Sequence, residues 1–499
     1  MLRSINTALH VIAFGIVVTM LPYSAGQLVA VLGCLIVCWG VTHVALVQIG
    51  RRHSTELSGL VLAMILFYWA AYLGKLALAP FLADQYWVVP ILIDTTSLLD
   101  DLPFGFAIFT IGYAALIAGI FLYPYRSGIP WKIESFNPRL NALAIAIPIG
   151  LVIKYILKAK FDIGVPGLEP QYLGVPLLAG ALSLVTGTGS IYFANSLFFC
   201  ALCTGRRGMA ILGLILAFAN GLIDLRFGAK DTIMYQLVIS AAYLLIVHGA
   251  LVMRRVAFLK VARSVTVLVA VFGILVIGAY RFMNIYRFGL LDGSGVGSAV
   301  AAALDSDVAG SRSSFMEIYN RITGLDTLTA VLPLRDALKG NSGIADMLTG
   351  SLVENFTYVL MGTYDAATRF SMTQFGYFYL AGGIAALIGG CLFLGALFRF
   401  VQKTALRFNV AHPMKLAMLP VLWILFVNTL LGGGNLFLWG KEIGAILIVY
   451  YGTARLACAA NPSRGYGNKT RIERSSSGTT AMDRSPGMTP ASRLGTSNR

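Results

Sequence analysis

Apolar stretches of about twenty residues recur along almost the whole chain, separated by short polar connections. A helix needs roughly 20 apolar residues to cross about 30 Å of hydrocarbon, so each stretch has the length of one membrane span. These stretches are apolar on every side, whereas the strands of a membrane barrel alternate apolar and polar positions. The pattern therefore predicts an all-α polytopic membrane protein with about twelve transmembrane helices. The predicted spans are 6–23, 27–48, 57–80, 104–124, 140–157, 176–202, 208–224, 232–249, 264–281, 374–398, 414–431 and 437–457.

Composition supports this class. The 499 residues are 57% hydrophobic and only 12% charged, with a mean hydropathy of +0.77, which does not fit a water-facing surface. The formal net charge of +16 reflects basic residues in the connections between spans, and we predict no nucleic-acid partner.

Orientation follows from these basic residues, because short connections rich in Lys and Arg stay in the cytoplasm. A cytoplasmic N terminus places five basic connections inside, and an even number of spans places the C terminus inside too. The basic positions of these connections are Arg51, Arg52, Arg126, Lys132, Arg206, Arg207, Arg254, Arg255, Lys403 and Arg407.

Four regions result from this topology. Residues 1–282 contain spans 1 to 9, 283–373 form one large external loop, 374–457 contain spans 10 to 12, and 458–499 form a disordered basic cytoplasmic tail. Gly293, Gly295 and Gly297 predict that 290–310 is a flexible segment at the start of the loop. The rest of the loop has apolar residues at spacings of three and four, which predict amphipathic helices. These residues are Phe315, Ile318, Ile322, Leu325, Leu328 and Leu332, followed by Ile344, Leu348, Leu352, Phe356 and Val359.

A hairpin between two spans places Arg226 and Lys230 four residues apart at the predicted outer face. An arginine fork binds two phosphate oxygens at once, and a fixed cation accelerates the departure of a diphosphate, which gains negative charge as it leaves. Arg281, at the end of a span, and Arg312 and Arg321, in the loop, extend the set of predicted diphosphate-binding residues. For each of them, an arginine that reaches the interface or pairs with a nearby carboxylate is the alternative.

Transfer of a group from such a diphosphate to a hydroxyl would also need a base for that hydroxyl. All five histidines fall in spans or on the inner side, so external carboxylates are the candidates: Asp231, Asp326 and Glu354, with Asp365 as a fourth. Pairing with a neighbouring base is the alternative for each. Lys154 within a span and Glu442 near the outer start of the last span are further charged positions. The six cysteines predict neither a disulfide framework nor a metal site, and no cofactor is predicted.

Three segments together resemble the bacterial oligosaccharide repeat unit polymerases, the Wzy-type polymerases of O-antigen, capsule and exopolysaccharide assembly. They are the hairpin "DLRFGAKDTIMYQLVISAAYLLI", the loop helix "NRITGLDTLTAVLP" and the span "FGYFYLAGGIAALIGGCLFLGALFR". Carried over by position, Arg226 belongs to the hairpin turn of the family, and Arg321 and Asp326 belong to its loop helix. The arrangement of spans with one large external loop is similar over nearly the full length.

The resemblance implies a metal-independent glycosyltransferase in the bacterial cytoplasmic membrane. Its substrates would be undecaprenyl-diphosphate-linked oligosaccharides at the outer face, where the growing chain leaves its lipid diphosphate and joins the incoming unit. Membrane lipid and a chain-length regulator protein are the further partners to test.

Two alternatives remain open. An O-antigen ligase uses the same donor but commonly needs an external histidine, and none is predicted here. A transporter or flippase of a lipid-linked glycan is expected to have charges deep in several spans and no long structured outer loop.

Overall fold

The computed structural model describes most of the predicted spans and a smaller part of the connections. The described residues are 2–20, 25–51, 55–74, 95–122, 138–161, 163, 182, 186–229, 231–249, 256–280, 282–283, 285–286, 295–305, 324–332, 373–407, 414–415, 417–422, 424 and 436–458.

All secondary structure in these residues is helical. The helices are α1 Leu2–Met20, α2 Ala25–Arg51, α3 Thr55–Tyr68, α4 Thr95–Leu122, α5 Leu140–Phe161, α6 Thr188–Thr204, α7 Arg207–Arg226, α8 Asp231–Gly249, α9 Val256–Gly278, α10 Val296–Asp305, α11 Leu325–Val331, α12 Gln374–Arg407 and α13 Leu436–Cys458. A π-helical turn, Trp69–Gly74, continues α3.

Eleven of the twelve predicted spans coincide with one of these helices, and short helical pieces within 414–424 mark the other. Within the described part of the chain, five helices are long and apolar enough to cross a membrane: α2, α4, α5, α7 and α12. The chain therefore has the helices of a membrane protein, while the number of spans and the side on which each terminus lies stay predictions.

Helices α4 and α12 form the closest pair of the bundle, and glycines on both sides permit it. A Cβ atom added at Gly119 would lie 2.3 Å from the carbonyl oxygen of Leu392, and one added at Gly395 would lie 2.3 Å from that of Leu116. Backbones approach this closely only where side chains are absent, a common device between membrane helices.

Helix α12 folds back on itself near its start. Gly382 and Gly383 have non-helical backbone angles, and Gly383 has a φ of 68°. A Cβ atom added at Gly390 would lie 2.5 Å from the Phe378 ring. In a straight helix these two positions, twelve residues apart, would be separated by about 18 Å. Residues 374–381 therefore form a short helix that runs antiparallel to the long helix after the glycines.

The predicted external loop is described in two parts. Helix α10 occupies ten residues of the segment that the glycines predicted to be flexible, because Ala-rich 299–303 favours helix after the last glycine. Helix α11 packs on α4, and Leu325, Leu328 and Leu332 of the predicted apolar stripe are buried there. The second predicted loop helix, the rest of the first stripe and the predicted tail lie outside the described residues.

Helices α6, α7 and α8 form an antiparallel group. Gly205, with a φ of 70°, ends α6, and Gly228, with a φ of 83°, lies in the turn between α7 and α8. Gly213 brings α7 against the Phe198 backbone of α6, since a Cβ there would lie 2.5 Å from the Phe198 nitrogen. The hairpin turn after α7 is thereby fixed beside the start of α6.

Candidate functional site

Helix ends from several parts of the chain meet at one end of the bundle. The C-terminal ends of α5 and α7 and the N-terminal ends of α6 and α8 lie together around one cavity. The Asp224 carbonyl closes the α7 hairpin by accepting the backbone N–H groups of Phe227 and Ala229 at 3.1 and 3.0 Å. The predicted topology assigns all of these ends to the outer face.

A buried ion-pair network joins α5 to α7 at this end. Asp224 uses one carboxylate oxygen for each of two lysines: Oδ2 accepts from Lys154 Nζ at 2.8 Å, and Oδ1 accepts from Lys158 Nζ at 2.6 Å. The three side chains are only 1–5% exposed. Buried charges are tolerated only where each has a close partner of opposite charge. Both lysines here have the same partner, the carboxylate of Asp224.

The two lysines differ in the number of N–H donors that remain for a ligand. Lys154 spends all three of its N–H donors, since it also donates to Ser190 Oγ at 3.0 Å and to Asn220 Oδ1 at 2.8 Å. Lys158 donates to Asp224 alone among the described residues, and it lines the cavity. Lys154 is therefore structural, whereas Lys158 has two donors left for a group in the cavity.

Two cationic side chains lie close to the ring of Phe227, which is in the hairpin turn after α7. Lys158 Nζ lies 5.4 Å from the ring centroid, and the Arg226 guanidinium carbon lies 5.8 Å from it. Both distances are in the range of a cation–π contact. Arg226 is exposed, and Tyr286 donates a hydrogen bond to its carbonyl oxygen at 3.2 Å. One exposed and one buried cation thus share an aromatic surface.

The cavity has a volume of about 300 Å³, at the lower end of the range for ligand sites. A volume of this size suits a headgroup. Its lining combines an apolar half with a polar half. The lining residues are Lys158, Ile163, Thr186, Gly187, Thr188, Ile191, Asp224, Ala229, Thr232, Tyr235, Ile239, Val421, Ile424 and Glu442.

The start of α6 opens into the same cavity. Gly187 occupies the N-cap position, and no side chain caps this helix end. The first N–H groups of a helix lack intrahelical acceptors and carry a partial positive charge, so they attract anions. Gly187 and Thr188 both line the cavity beside Lys158. A cationic side chain and the first residues of α6 therefore line one cavity, and Glu442 supplies a carboxylate to its wall.

Of the predicted diphosphate-binding residues, Arg226 lies at this site, next to Phe227 and two residues after Asp224. Asp231 is the first residue of α8 and Asp326 the second of α11, but their side chains are outside the described part. The other predicted site residues, Lys230, Arg281, Arg312, Arg321, Glu354 and Asp365, lie outside the described residues. Their roles stay predictions.

Sequence reasoning did not assemble the network of Lys154, Lys158 and Asp224. A signal for it exists in the spacing: Lys154 and Lys158 are four apart on α5, as Asn220 and Asp224 are on α7. Polar residues four apart share one helix face. Two such pairs in otherwise apolar helices indicate facing partners, although the sequence does not say that α5 faces α7.

No group of three or more His, Cys, Asp or Glu residues that could hold a metal ion occurs in the described part of the chain. The charged side chains that line the cavity are one lysine, Lys158, and two carboxylates, Asp224 and Glu442.

No family model, no curated protein and no solved structure matches this chain. The fold and the site therefore define the class by themselves: an all-helical membrane protein with a buried Lys–Asp–Lys network beside a polar cavity.

Proposed function

We propose that this protein polymerises undecaprenyl-diphosphate-linked oligosaccharide repeat units into a surface polysaccharide at the outer face of the cytoplasmic membrane. The cavity beside Lys158 holds the diphosphate of the growing chain. The sugar to be transferred extends from the diphosphate toward Glu442, which lines the same cavity.

Lys158 is the central cation of this proposal. Its Nζ atom is held by Asp224 and, among the described residues, has two donors without another partner, which we assign to phosphate oxygens. Gly187 and Thr188 at the start of α6 line the same cavity. The Arg226 guanidinium carbon lies 5.8 Å from the centroid of the Phe227 ring, and this side chain binds the more exposed phosphate. Negative charge that develops on the leaving diphosphate is stabilised by donors already in place, so these groups lower the barrier to transfer.

Glu442 is the carboxylate that this site offers as a base. It is half-buried and lines the same cavity as Lys158. Asp224 is excluded from this role, because an ammonium group occupies each of its oxygens. Glu442 accepts the proton of the acceptor hydroxyl as that oxygen attacks the anomeric carbon and the diphosphate departs.

The single observation that supports the proposal most is the contrast between the two lysines. Lys154 spends its three donors on Asp224, Asn220 and Ser190. Lys158 donates to Asp224 alone among the described residues and lines the cavity beside the first residues of α6.

The test uses purified protein in liposomes that contain lipid-diphosphate oligosaccharide. We expect longer glycans and release of free lipid diphosphate. Lys158→Met should lower the rate by about a hundredfold or more, the typical loss when one charge-stabilising donor is removed. Lys160→Met is the matched control, because Lys160 is exposed on the same helix, and it should keep the wild-type rate.

Two results would contradict the proposal: no chain lengthening by the wild type, or equal rates for the two lysine variants. Transfer of glycan to a lipid core without lengthening would indicate a ligase instead.

A transporter of lipid-linked glycans is the second candidate, and one observation favours it. Lys154 and Asp224 form an ion pair inside the helix bundle, at 1% and 5% side-chain exposure, and buried charges are typical of transport pathways. Translocation of a fluorescent lipid-linked glycan across the liposome membrane, without lengthening, would establish this candidate in place of the polymerase.

A further inference from the structure

The cavity beside Lys158 is lined by charges of both signs. Lys154, Lys158 and Asp224 together carry one net positive charge, and Lys158 is the cation of this network that lines the cavity. Glu442, half-buried on α13, adds a negative charge to the same lining. A zwitterion, with its anionic group near Lys158 and its cationic group near Glu442, complements this pair of charges.

The lining also changes from polar to apolar along the helices. Lys158 is in the last turn of α5, and Thr232 is in the first turn of α8. Ile239 lies about 12 Å along α8 from the first residue of that helix, and Val421 and Ile424 add further apolar surface. The ends of membrane helices lie where the hydrocarbon meets the lipid headgroups. The order of polar and apolar groups is therefore that of a phospholipid, with its headgroup at the helix ends and its chains further in.

Glu442 determines which kind of cationic group fits. A primary ammonium group has three N–H donors, and carboxylate oxygens accept such donors in strong, charge-assisted hydrogen bonds. A quaternary ammonium group has no N–H donor and is typically held by a cage of aromatic rings. Among the described lining residues, Tyr235 is the one aromatic side chain. The lining therefore favours an ethanolamine headgroup over a choline headgroup.

We propose that this cavity binds the headgroup of phosphatidylethanolamine, with its phosphate at Lys158 and its ammonium group at Glu442. The volume of about 300 Å³ suits a headgroup, and the first part of the acyl chains lies against Ile239 and its apolar neighbours. The binding does not depend on any transfer reaction. One consequence rests on the proposed function: a lipid diphosphate places a phosphate at the same lysine, so phosphatidylethanolamine competes with the substrate for the cavity.

The experiment compares headgroups on identical short chains. Isothermal titration calorimetry of the purified protein in detergent measures the binding of dihexanoyl phosphatidylethanolamine, phosphatidylcholine and phosphatidylglycerol. We expect phosphatidylethanolamine to bind about ten- to a hundredfold more tightly than the other two, which is the contribution of one charge-assisted hydrogen bond. Free phosphoethanolamine should bind at least about tenfold more weakly than the lipid, because it leaves the apolar half of the cavity unfilled.

Two variants assign the two ends of the headgroup. Glu442→Gln keeps the size of the side chain and removes its charge, so it should abolish the preference for phosphatidylethanolamine and leave the binding of phosphatidylcholine unchanged. Lys158→Met should weaken the binding of all three phospholipids by about tenfold or more, because each carries the phosphate. Lys160→Met, at an exposed position on the same helix, is the matched control and should bind as the wild type does. Should Lys158→Met fail to fold, the headgroup preference of Glu442→Gln still decides.

Three results would overturn the proposal. The wild type might bind the three phospholipids equally or bind none of them, Glu442→Gln might keep the preference or weaken all three alike, or free phosphoethanolamine might bind as tightly as the lipid, which would indicate a soluble phosphate compound instead.

Displacement by farnesyl diphosphate tests the shared cavity separately. We expect it to release bound phosphatidylethanolamine from the wild type. A wild type that prefers phosphatidylethanolamine and does not release it to the diphosphate would keep the phospholipid site and contradict the proposed function, so the two proposals fail separately.

Discussion

Replacement of Asp224 by leucine is the sharpest perturbation that the structure offers. The change removes the carboxylate that both Lys154 and Lys158 contact, at 2.8 and 2.6 Å, and leaves two ammonium groups in positions only 1–5% exposed. Removal of one partner from a buried ion pair costs about 3–5 kcal/mol. Because two cations lose their counter-charge here, we expect the free energy of unfolding to fall by an amount at the upper end of that range.

A triple variant tests whether the unpaired lysines cause this loss of stability. Conversion of Lys154 and Lys158 to methionine together with Asp224→Leu replaces the whole network by apolar groups of similar size. Such replacements of buried ion pairs are often neutral or stabilising by about 1–4 kcal/mol. The triple variant should therefore recover the stability lost in Asp224→Leu, although it should lose chain lengthening because Lys158 is gone.

Equilibrium unfolding in mixed micelles, with increasing dodecyl sulfate, provides the assay. Lys160→Met is the control for loss of a lysine from the same helix. The proposed role of the buried network would be wrong if Asp224→Leu lowered the free energy of unfolding by less than about 1 kcal/mol. It would also be wrong if the triple variant were less stable than Asp224→Leu.

Three further predictions concern the parts that position the site. Gly213→Ala should destabilise the protein by about 1–3 kcal/mol, because a Cβ atom there would lie 2.5 Å from the α6 backbone. Gly208→Ala is the control on the same helix, since a Cβ atom there meets no other atom within 4 Å, and it should be neutral in the same unfolding assay. Phe227→Leu should lower chain lengthening severalfold in the liposome assay with little change in stability, since it removes the ring shared by two cations; an unchanged rate would count against that role. Gln236→Leu should cost about 1–3 kcal/mol in free energy of unfolding, because it leaves buried Asn195 without the paired hydrogen bonds at 2.6 and 2.8 Å; equal stability would argue against the pair.

The positions of the helices could be predicted from the sequence because each apolar run is long and uniform. The fold-back of α12 could not be predicted in this way. Gly382 and Gly383 lie within a run that is apolar on all sides, so hydropathy is the same whether the chain continues straight or reverses. The non-helical angles at these glycines decide the path.

The site was predictable in part for a similar reason. Charges in "LIDLRFGAKD" are conspicuous in an apolar chain, and Arg226 was singled out on that basis. The partner of Asp224 comes from α5, 66 and 70 residues earlier, and no local pattern identifies it. Glu442 reaches the cavity from α13, which is more distant still in sequence.

In the proposed function, the cavity beside Lys158 faces the outside and receives a lipid diphosphate. Ala229, which lines the cavity, is replaced by cysteine in a chain without its native cysteines, and whole cells are treated with a membrane-impermeant maleimide. We predict labelling at this position from outside, with a lower rate when undecaprenyl diphosphate is added, and no external labelling of Gly208→Cys at the opposite end of α7. Labelling of Ala229→Cys only after the cells are made permeable, or at a rate that the lipid diphosphate does not change, would contradict the claim.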